Sequence, residues 1–258
     1  MFCHYYKPEI EILLCRRRRT SDWKVTTSFN VPFWRFFLNC SESVEMFFKN
    51  VKTISDPGSF VLIPPETDFK AVTITEFEQF YVHFLLAYPY DRCTPGIYKF
   101  PVSAQLLVQI EQISSILKTE ESNPSTRLSL LISSLCLNAL TFMPENSIRQ
   151  DLRNGKIIKL LKYIDKNLTT PIGNEELALQ VNMGINAFTR FFKNHTGMTS
   201  QNYIQDRKIR KACAMLRFSD KAIDEIAMET GFSDRYYFSR VFKKVRGTGP
   251  AEFRKNHV

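Results

Sequence analysis

Arg190 and Arg240 stand at the same place in two copies of one short pattern. Ala187-Phe188-Thr189-Arg190-Phe191-Phe192-Lys193 returns 50 residues later as Tyr237-Phe238-Ser239-Arg240-Val241-Phe242-Lys243. A guanidinium is a planar fork of donors that matches the two acceptors of a guanine edge. An arginine on the outer face of a helix can therefore read a base in a major groove. Asn186 and Thr189 lie beside it in the first copy, Arg235 and Tyr236 in the second, and all four are types that can meet a base edge. Lys193, Lys243 and Lys244 follow further along and are either phosphate-facing or solvated. A phosphate contact would add salt dependence without sequence choice.

Such side chains need helices to carry them. Phe188 and Phe192, like Phe238 and Phe242, are spaced i, i+4 and define a core-facing side in each copy. Upstream, Glu176-Leu177-Ala178 matches Glu225-Ile226-Ala227 at an offset of 49, so one copy has a connection one residue longer. Ala178 and Ala227 are small where two helices must cross closely. Gly231 is predicted to end the first helix of the second copy in a left-handed conformation, with Asn182 as its counterpart. Ser233 is the predicted cap of the next helix. Each copy therefore predicts helix, tight turn, helix. Residues 199–217 predict one helix between the copies. Tyr203, Ile204, Ile209, Ala212 and Leu216 form its apolar side, and Arg207, Lys208, Arg210 and Lys211 a basic side. A spacer of about 25 Å could hold two recognition helices near one DNA turn apart, about 34 Å. That favours DNA over RNA, whose major groove is too narrow for a helix.

Charge agrees with this reading. Residues 152–258 hold 20 Lys+Arg against 10 Asp+Glu, whereas residues 1–151 hold 15 against 16. A basic part joined to a near-neutral part predicts a polyanion-binding module beside something else. The six cysteines, Cys3, Cys15, Cys40, Cys93, Cys136 and Cys213, form no Cys-x-x-Cys pair, so neither a zinc site nor a disulfide framework is expected. No apolar run approaches the roughly 18–20 residues of a membrane span. The expected location is cytoplasmic.

The first hundred residues predict short strands at 9–15, 33–40, 44–49, 58–64 and 78–86, separated by turns such as Asp56-Pro57-Gly58 and Pro64-Pro65. Leu106, Ile110, Ile113 and Leu117, then Leu128, Leu131, Leu135 and Phe142, predict a helix pair broken at 120–124. These stripes either pack on the strands or join a second subunit. Residues 144–155 are polar and predict a linker. Arg16, Arg17, Arg18 and Arg19 are expected at a solvated strand end or loop, with a partner-binding role as the alternative.

Residues 156–258 resemble the DNA-binding domain of the AraC/XylS family of bacterial transcription regulators. The resemblance runs from Ile223-Asp224-Glu225-Ile226-Ala227 through Gly231-Phe232-Ser233-Asp234 and Tyr237-Phe238-Ser239-Arg240-Val241-Phe242-Lys243-Lys244 to Gly247 and Pro250. Arg207 and Ala212 fit the family's linker helix. Gly184 and Ile185 depart from a usual Ser and Pro-like helix start, and Ser200 from a usual Pro. The resemblance implies DNA contacts at Asn186, Thr189 and Arg190 in one half and at Arg235, Tyr236 and Arg240 in the other. Many members carry a cupin-like sensor barrel. Residues 56–65 resemble a segment of it, and Phe80-Tyr81-Val82-His83-Phe84 a later strand.

The expected fold is α+β: a cupin-like β-barrel at about 1–100 with a helix pair at about 102–143, a linker at 144–155, and an all-α domain of two helix-turn-helix units at 156–258. Trp34, Arg35, Tyr81 and His83 are candidate effector contacts, with a hydrogen-bonded core role as the alternative for His83. His4 and His83 alone do not make a metal centre, so no metal, cofactor or catalysis is expected. The expected function is regulation of transcription at specific promoter DNA in response to a small molecule. The chain would act as a homodimer through the helix pair, with RNA polymerase a further candidate partner. The alternatives are an interaction protein with a degenerate DNA-binding domain and a cupin-type enzyme fused to such a domain.

Overall fold

A computed structural model describes residues 9–20, 30–41, 44–73, 76–119, 125–148 and 154–256. Cys3, His4, the helix break at 120–124 and residues 149–153 of the linker lie outside the described residues. The chain divides into two compact units, Met1–Arg149 and Gln150–Val258.

In the first unit eight strands pair as two sheets. β1 (Ile10–Thr20), β7 (Phe77–Leu86), β2 (Trp34–Asn39), β5 (Ser59–Ile63) and β8 (Tyr98–Pro101) form one in that order. β4 (Val51–Ser55), β3 (Val44–Phe48) and β6 (Lys70–Thr73) form the other. β2 and β5 are buried on both faces, which is why they read as unbroken apolar runs rather than alternating ones. On one face Phe36, Leu38, Phe60, Leu62, Phe80, Val82 and Phe84 pack against helices α1 (Ala104–Leu117) and α2 (Thr126–Leu140). On the other, Phe37, Val61, Ile63 and Phe77 meet Val44, Met46 and Ala71 of the smaller sheet. β4, β6 and β8 escaped the sequence reading because they are short and, like exposed Val51 and Lys52, only partly buried.

The helix pair resolves one alternative. Leu106, Ile110, Ile113, Leu128 and Leu135 all pack on the larger sheet, so the stripes read from the sequence are consumed within the unit. What remains outward is a different set: Val108 and Leu130 are 59% and 65% exposed, and Leu107 is 38% exposed.

The arginine run is not a loop. All four residues lie in β1, paired with β7 from Arg16↔Tyr81 to Arg19↔Glu78. Arg17 bonds Glu78 on β7 (Nε–Oε1 3.0 Å) and Glu111 on α1 (Nη1–Oε1 2.7 Å), tying strand, strand and helix together. Its guanidinium holds the Glu78 carboxyl below the usual range. Arg16 and Arg18 are exposed on what is, among the described strands, an edge, where charge discourages a foreign strand from pairing. Burial pushes the thiols of Cys15 and Cys93 up to about 12, so both stay protonated and weakly nucleophilic at neutral pH.

The second unit is helical: α3 (Gly155–Lys166), α4 (Asn174–Gln180), α5 (Ile185–Thr196), α6 (Ser200–Phe218), α7 (Ile223–Glu229), α8 (Arg235–Arg246) and α9 (Pro250–Asn256). Thr199 caps α6 by accepting from the Asn202 amide at 3.2 Å. Tyr203, Ile209, Ala212 and Leu216 of α6 are buried, as expected of its apolar side. The basic side is a correction. Arg207 bonds Asp165 on α3 at 2.9 Å, Arg210 bonds Asp206 at 2.8 Å, and Lys208 donates to the Gly231 carbonyl at 2.6 Å. Arg207 and Lys208 thus hold α6 to its neighbours, while the Arg210 pair lies within α6 itself.

Candidate nucleic-acid interface

The repeat seen in the sequence is also a repeat of geometry. After α4 the chain turns at Asn182 (φ 52°), and the Met183 amide donates back to the Ala178 carbonyl at 3.0 Å. After α7 it turns at Gly231 (φ 77°), and the Phe232 amide donates to the Ala227 carbonyl at 2.9 Å. Ala178 and Ala227 are buried at the crossings. Both second helices then end alike. Gly197 (φ 78°) and Gly247 (φ 80°) are left-handed, and their amides donate to the carbonyls of Lys193 and Lys243, each at 2.8 Å. A glycine suits that position because a Cβ would collide with the following carbonyl.

The inner faces of α5 and α8 are aromatic. Phe188 and Phe192 are fully buried with ring centroids 5.7 Å apart, and Phe192 meets Tyr203 of α6 edge-on at 5.7 Å. Phe238 and Phe242 are likewise buried, 5.6 Å apart, with Phe232 and Phe253 completing the cluster.

The outer faces hold the expected set. Asn186, Arg190 and Lys193 are exposed on α5, and Thr189 is half-buried with its hydroxyl committed to the Ile185 carbonyl at 2.9 Å. Arg235, Tyr236, Arg240, Lys243 and Lys244 are exposed on α8, Tyr236 at 87%. Two of these are already oriented. Arg240 lies 5.4 Å over the Tyr237 ring, and Arg235 pairs loosely with Asp224 at 3.2 Å. Gln205 of α6 in turn donates to the Tyr237 hydroxyl at 3.2 Å, so the ring under Arg240 is held from below.

The starts of the two helices differ. Gly184 precedes α5 and offers no side-chain cap. At α8 the cap is Asp234, which accepts from the Tyr237 amide at 2.7 Å; Ser233, the residue expected there, only donates to Asp234 at 3.1 Å. The longer connection of the second copy thus provides a carboxylate cap. Asp and Ser are equally good caps, so adjacent candidates cannot be separated by type alone. The amide of Tyr237 holds the Asp234 carboxyl below its usual range. A group whose pKa is lowered on folding stabilises above its unfolded value and loses that contribution as pH falls through its folded value. The start of α8 should therefore loosen in acid. The protection of the Tyr237 amide against exchange, measured by NMR relative to the intrinsic rate at each pH, should fall between neutral pH and pH ~3, and Asp234→Asn should flatten that dependence. A pH-independent Tyr237 signal in the unaltered chain would show that the cap contributes nothing.

The effector candidates divide between two faces. Register places Arg35 opposite His83 and Phe37 opposite Tyr81, so Arg35, Tyr81 and His83 face the space between the sheets. Arg35 is buried, donates to the Thr67 carbonyl at 3.2 Å and lies 4.6 Å over the Phe69 ring. His83 sits 5.4 Å from the rings of both Phe33 and Tyr81. Trp34 is on the opposite face, against the helices, stacked on Phe84 and donating to the Tyr90 carbonyl at 2.7 Å. Alternation along one strand separates it from the other three. Among the described residues no three His, Cys, Asp or Glu side chains cluster to hold a metal, and no helix is long and apolar enough to cross a membrane.

Residues 177–256 match the protein family described as a helix-turn-helix domain. The chain is similar to the HTH-type transcriptional activator RhaR of Mannheimia succiniciproducens, 26% identical over 162 residues, which are 61% of this chain and 58% of RhaR. It is also similar to the HTH-type transcriptional regulator ExsA of Pseudomonas aeruginosa, 24% identical over 254 residues, 88% of this chain and 90% of ExsA. The crystal structure of ToxT from Vibrio cholerae O395 shares the fold, with a TM-score of 0.53 and 14% identity over 97% of this chain and 98% of ToxT. The chain spans under two thirds of the length of RhaR and of the RhaS activators it matches. The second unit is a double helix-turn-helix domain.

Proposed function

We propose that the chain regulates transcription by binding promoter duplex DNA through α5 and α8 together, each laid in a major groove. The observation that carries this reading is the repetition of one exposed polar face on two helices of matching geometry, within a part of the chain that holds all the excess positive charge. Asn186, Thr189 and Arg190 would meet bases or backbone in one half-site, and Arg235, Tyr236 and Arg240 in the other. Lys193, Lys243 and Lys244 would meet phosphates. The test is selection of duplexes from a random library by the full chain, followed by anisotropy titration. Recovery of a bipartite sequence supports the proposal, and equal affinity for selected and unselected duplexes overturns it.

The lysines carry their own expectation. Lys243→Ala should reduce the slope of log affinity against log salt by about 1 and weaken all sequences alike. An unchanged slope would place Lys243 in solvent.

The first unit would supply control. Structures of ToxT are described with a bound unsaturated fatty acid and with a naphthalenyl butenoic acid. In this chain Arg35, Tyr81 and His83 face the space between the sheets, which supports a small-molecule effector held there. A homodimer would use the outward Val108 and Leu130 of the helix pair, since the inward stripes are occupied; sedimentation of Val108→Glu would read it out. RNA polymerase is the partner such a regulator would engage at a promoter, in the cytoplasm. The regulator relatives support a role without catalysis.

A further inference from the structure

The turns at Asn182 and Gly231 do the same local work and yet carry different residues. Both need a left-handed backbone, which asparagine tolerates well. The local demand alone would therefore admit asparagine at 231. The surroundings do not. A Cβ at Gly231 would stand 2.7 Å from the Thr169 Cα, 2.9 Å from the Leu168 carbonyl oxygen and 2.9 Å from the Thr169 carbonyl oxygen. All three are backbone atoms of the connection between α3 and α4, in the first half of the domain. No rotamer change can relieve the overlap. At this point the second helix-turn-helix unit touches the first, backbone to backbone.

Two further features mark the place. The Gly231 carbonyl accepts from Lys208 of α6 at 2.6 Å, and the Lys208 ammonium lies 5.5 Å from the Phe232 ring centroid. Beside the contact a cavity of about 340 Å³ opens between the halves, with Pro171 and Ile172 on one side, Phe232 and Tyr237 on the other, and Ile204 and Gln205 of α6 as its floor. The joint is thus closely packed at Gly231 and loosely packed next to it. If the close contact were pushed apart, the halves could rock into or out of the open space.

We infer that Gly231 and Lys208 are positioning residues that set the separation and relative angle of the two recognition helices, and so the half-site spacing that the domain reads. This rests on the proposal that both helices bind DNA together. Neither residue touches a base. Each acts by how close the α7–α8 turn is held to the connection after α3.

The experiment uses the full chain and a bipartite duplex selected from a random library, a series of that duplex with one base pair inserted or removed between halves, and a duplex with the first half scrambled. Gly231→Asn keeps the left-handed preference and adds only the side chain. It should bind the scrambled-half duplex within about twofold of the unaltered chain but the bipartite duplex roughly tenfold more weakly, because simultaneous engagement is lost. Its best spacing should move. Lys208→Met should keep the packing on Phe232, lose the bond to Gly231 and broaden the spacing preference. Asn182→Gly, at the equivalent turn, should leave the preference unchanged.

An equal loss on both duplexes for Gly231→Asn would show that the glycine serves only its own turn, and would overturn the inference. So would a spacing preference identical to that of the unaltered chain. Should Gly231→Asn fail to fold, Lys208→Met decides: an unaltered preference in that variant overturns the inference. An unaltered chain that selects no duplex overturns the functional proposal and this inference with it. One that selects a duplex, while both variants keep its spacing, overturns the inference alone.

Discussion

Phe238→Ala is expected to destabilise the helical unit by about 3–5 kcal/mol, the cost of emptying a fully buried aromatic site. Phe238 is 0% exposed, with Phe232 at 5.2 Å and Phe242 at 5.6 Å between ring centroids. Its ring neighbours sit on the α7–α8 turn and on α8, and Phe253 of α9 backs Phe242 at 5.4 Å, so collapse around the void is opposed from several directions. A domain of ordinary stability has only about 5–15 kcal/mol in total, so the variant should be partly unfolded at physiological temperature. Urea denaturation followed by far-ultraviolet circular dichroism reads this directly. DNA binding should fall with the folded fraction. A loss under about 1 kcal/mol would mean that the aromatic cluster repacks, and the rigidity assigned to this half would be wrong.

Arg240→Ala should leave folding almost unchanged and cost about 1–3 kcal/mol of specific DNA binding, with relaxed preference at one base position. The side chain is exposed and lies over the Tyr237 ring 5.4 Å away, with its charge also felt by the Asp234 carboxylate. That stacking restricts the guanidinium before DNA arrives, so less entropy is lost on binding. Arg190 on α5 is the matched comparison. Its helix starts at Gly184 without a side-chain cap, whereas α8 starts at Asp234 with one. Arg190→Ala should therefore cost less than Arg240→Ala. Measurement is by anisotropy on the selected duplex and on its single-base variants. If Arg240→Ala binds selected and random DNA as the unaltered chain does, the base-reading role of α8 falls.

Most of the helical unit was legible because its signals are local and repeated. Phenylalanines at i, i+4, a glycine after each second helix and a small residue at each crossing all report short-range geometry. The cap was misread by one residue, since Ser233 and Asp234 differ little in capping tendency and only the turn geometry chooses between them. The basic side of α6 was misread for a different reason. Charge in a sequence does not reveal its partner, and Asp165, 42 residues before Arg207, was invisible as one. In the strand-rich unit, long buried strands were found and short exposed ones missed. Placing Trp34 with Arg35 was the cost of unknown register: adjacent residues on a strand face opposite ways. The contact at Gly231 had a sequence signal in the Asn182/Gly231 mismatch, but its cause lies in backbone more than sixty residues away.

The extra residue in the second copy has a consequence for how such a domain can change over generations. The connection 181–184 could not be grafted in place of 230–234, because it would bring a side chain against Thr169 and delete the Asp234 cap together. The opposite graft meets neither obstacle, since glycine accepts the turn at 182 and a carboxylate cap is welcome at α5. The two halves, alike in geometry, are therefore not interchangeable as modules. Evolution can explore new base preferences freely in the first, while the second is held to a narrower set of substitutions by the neighbour it leans on.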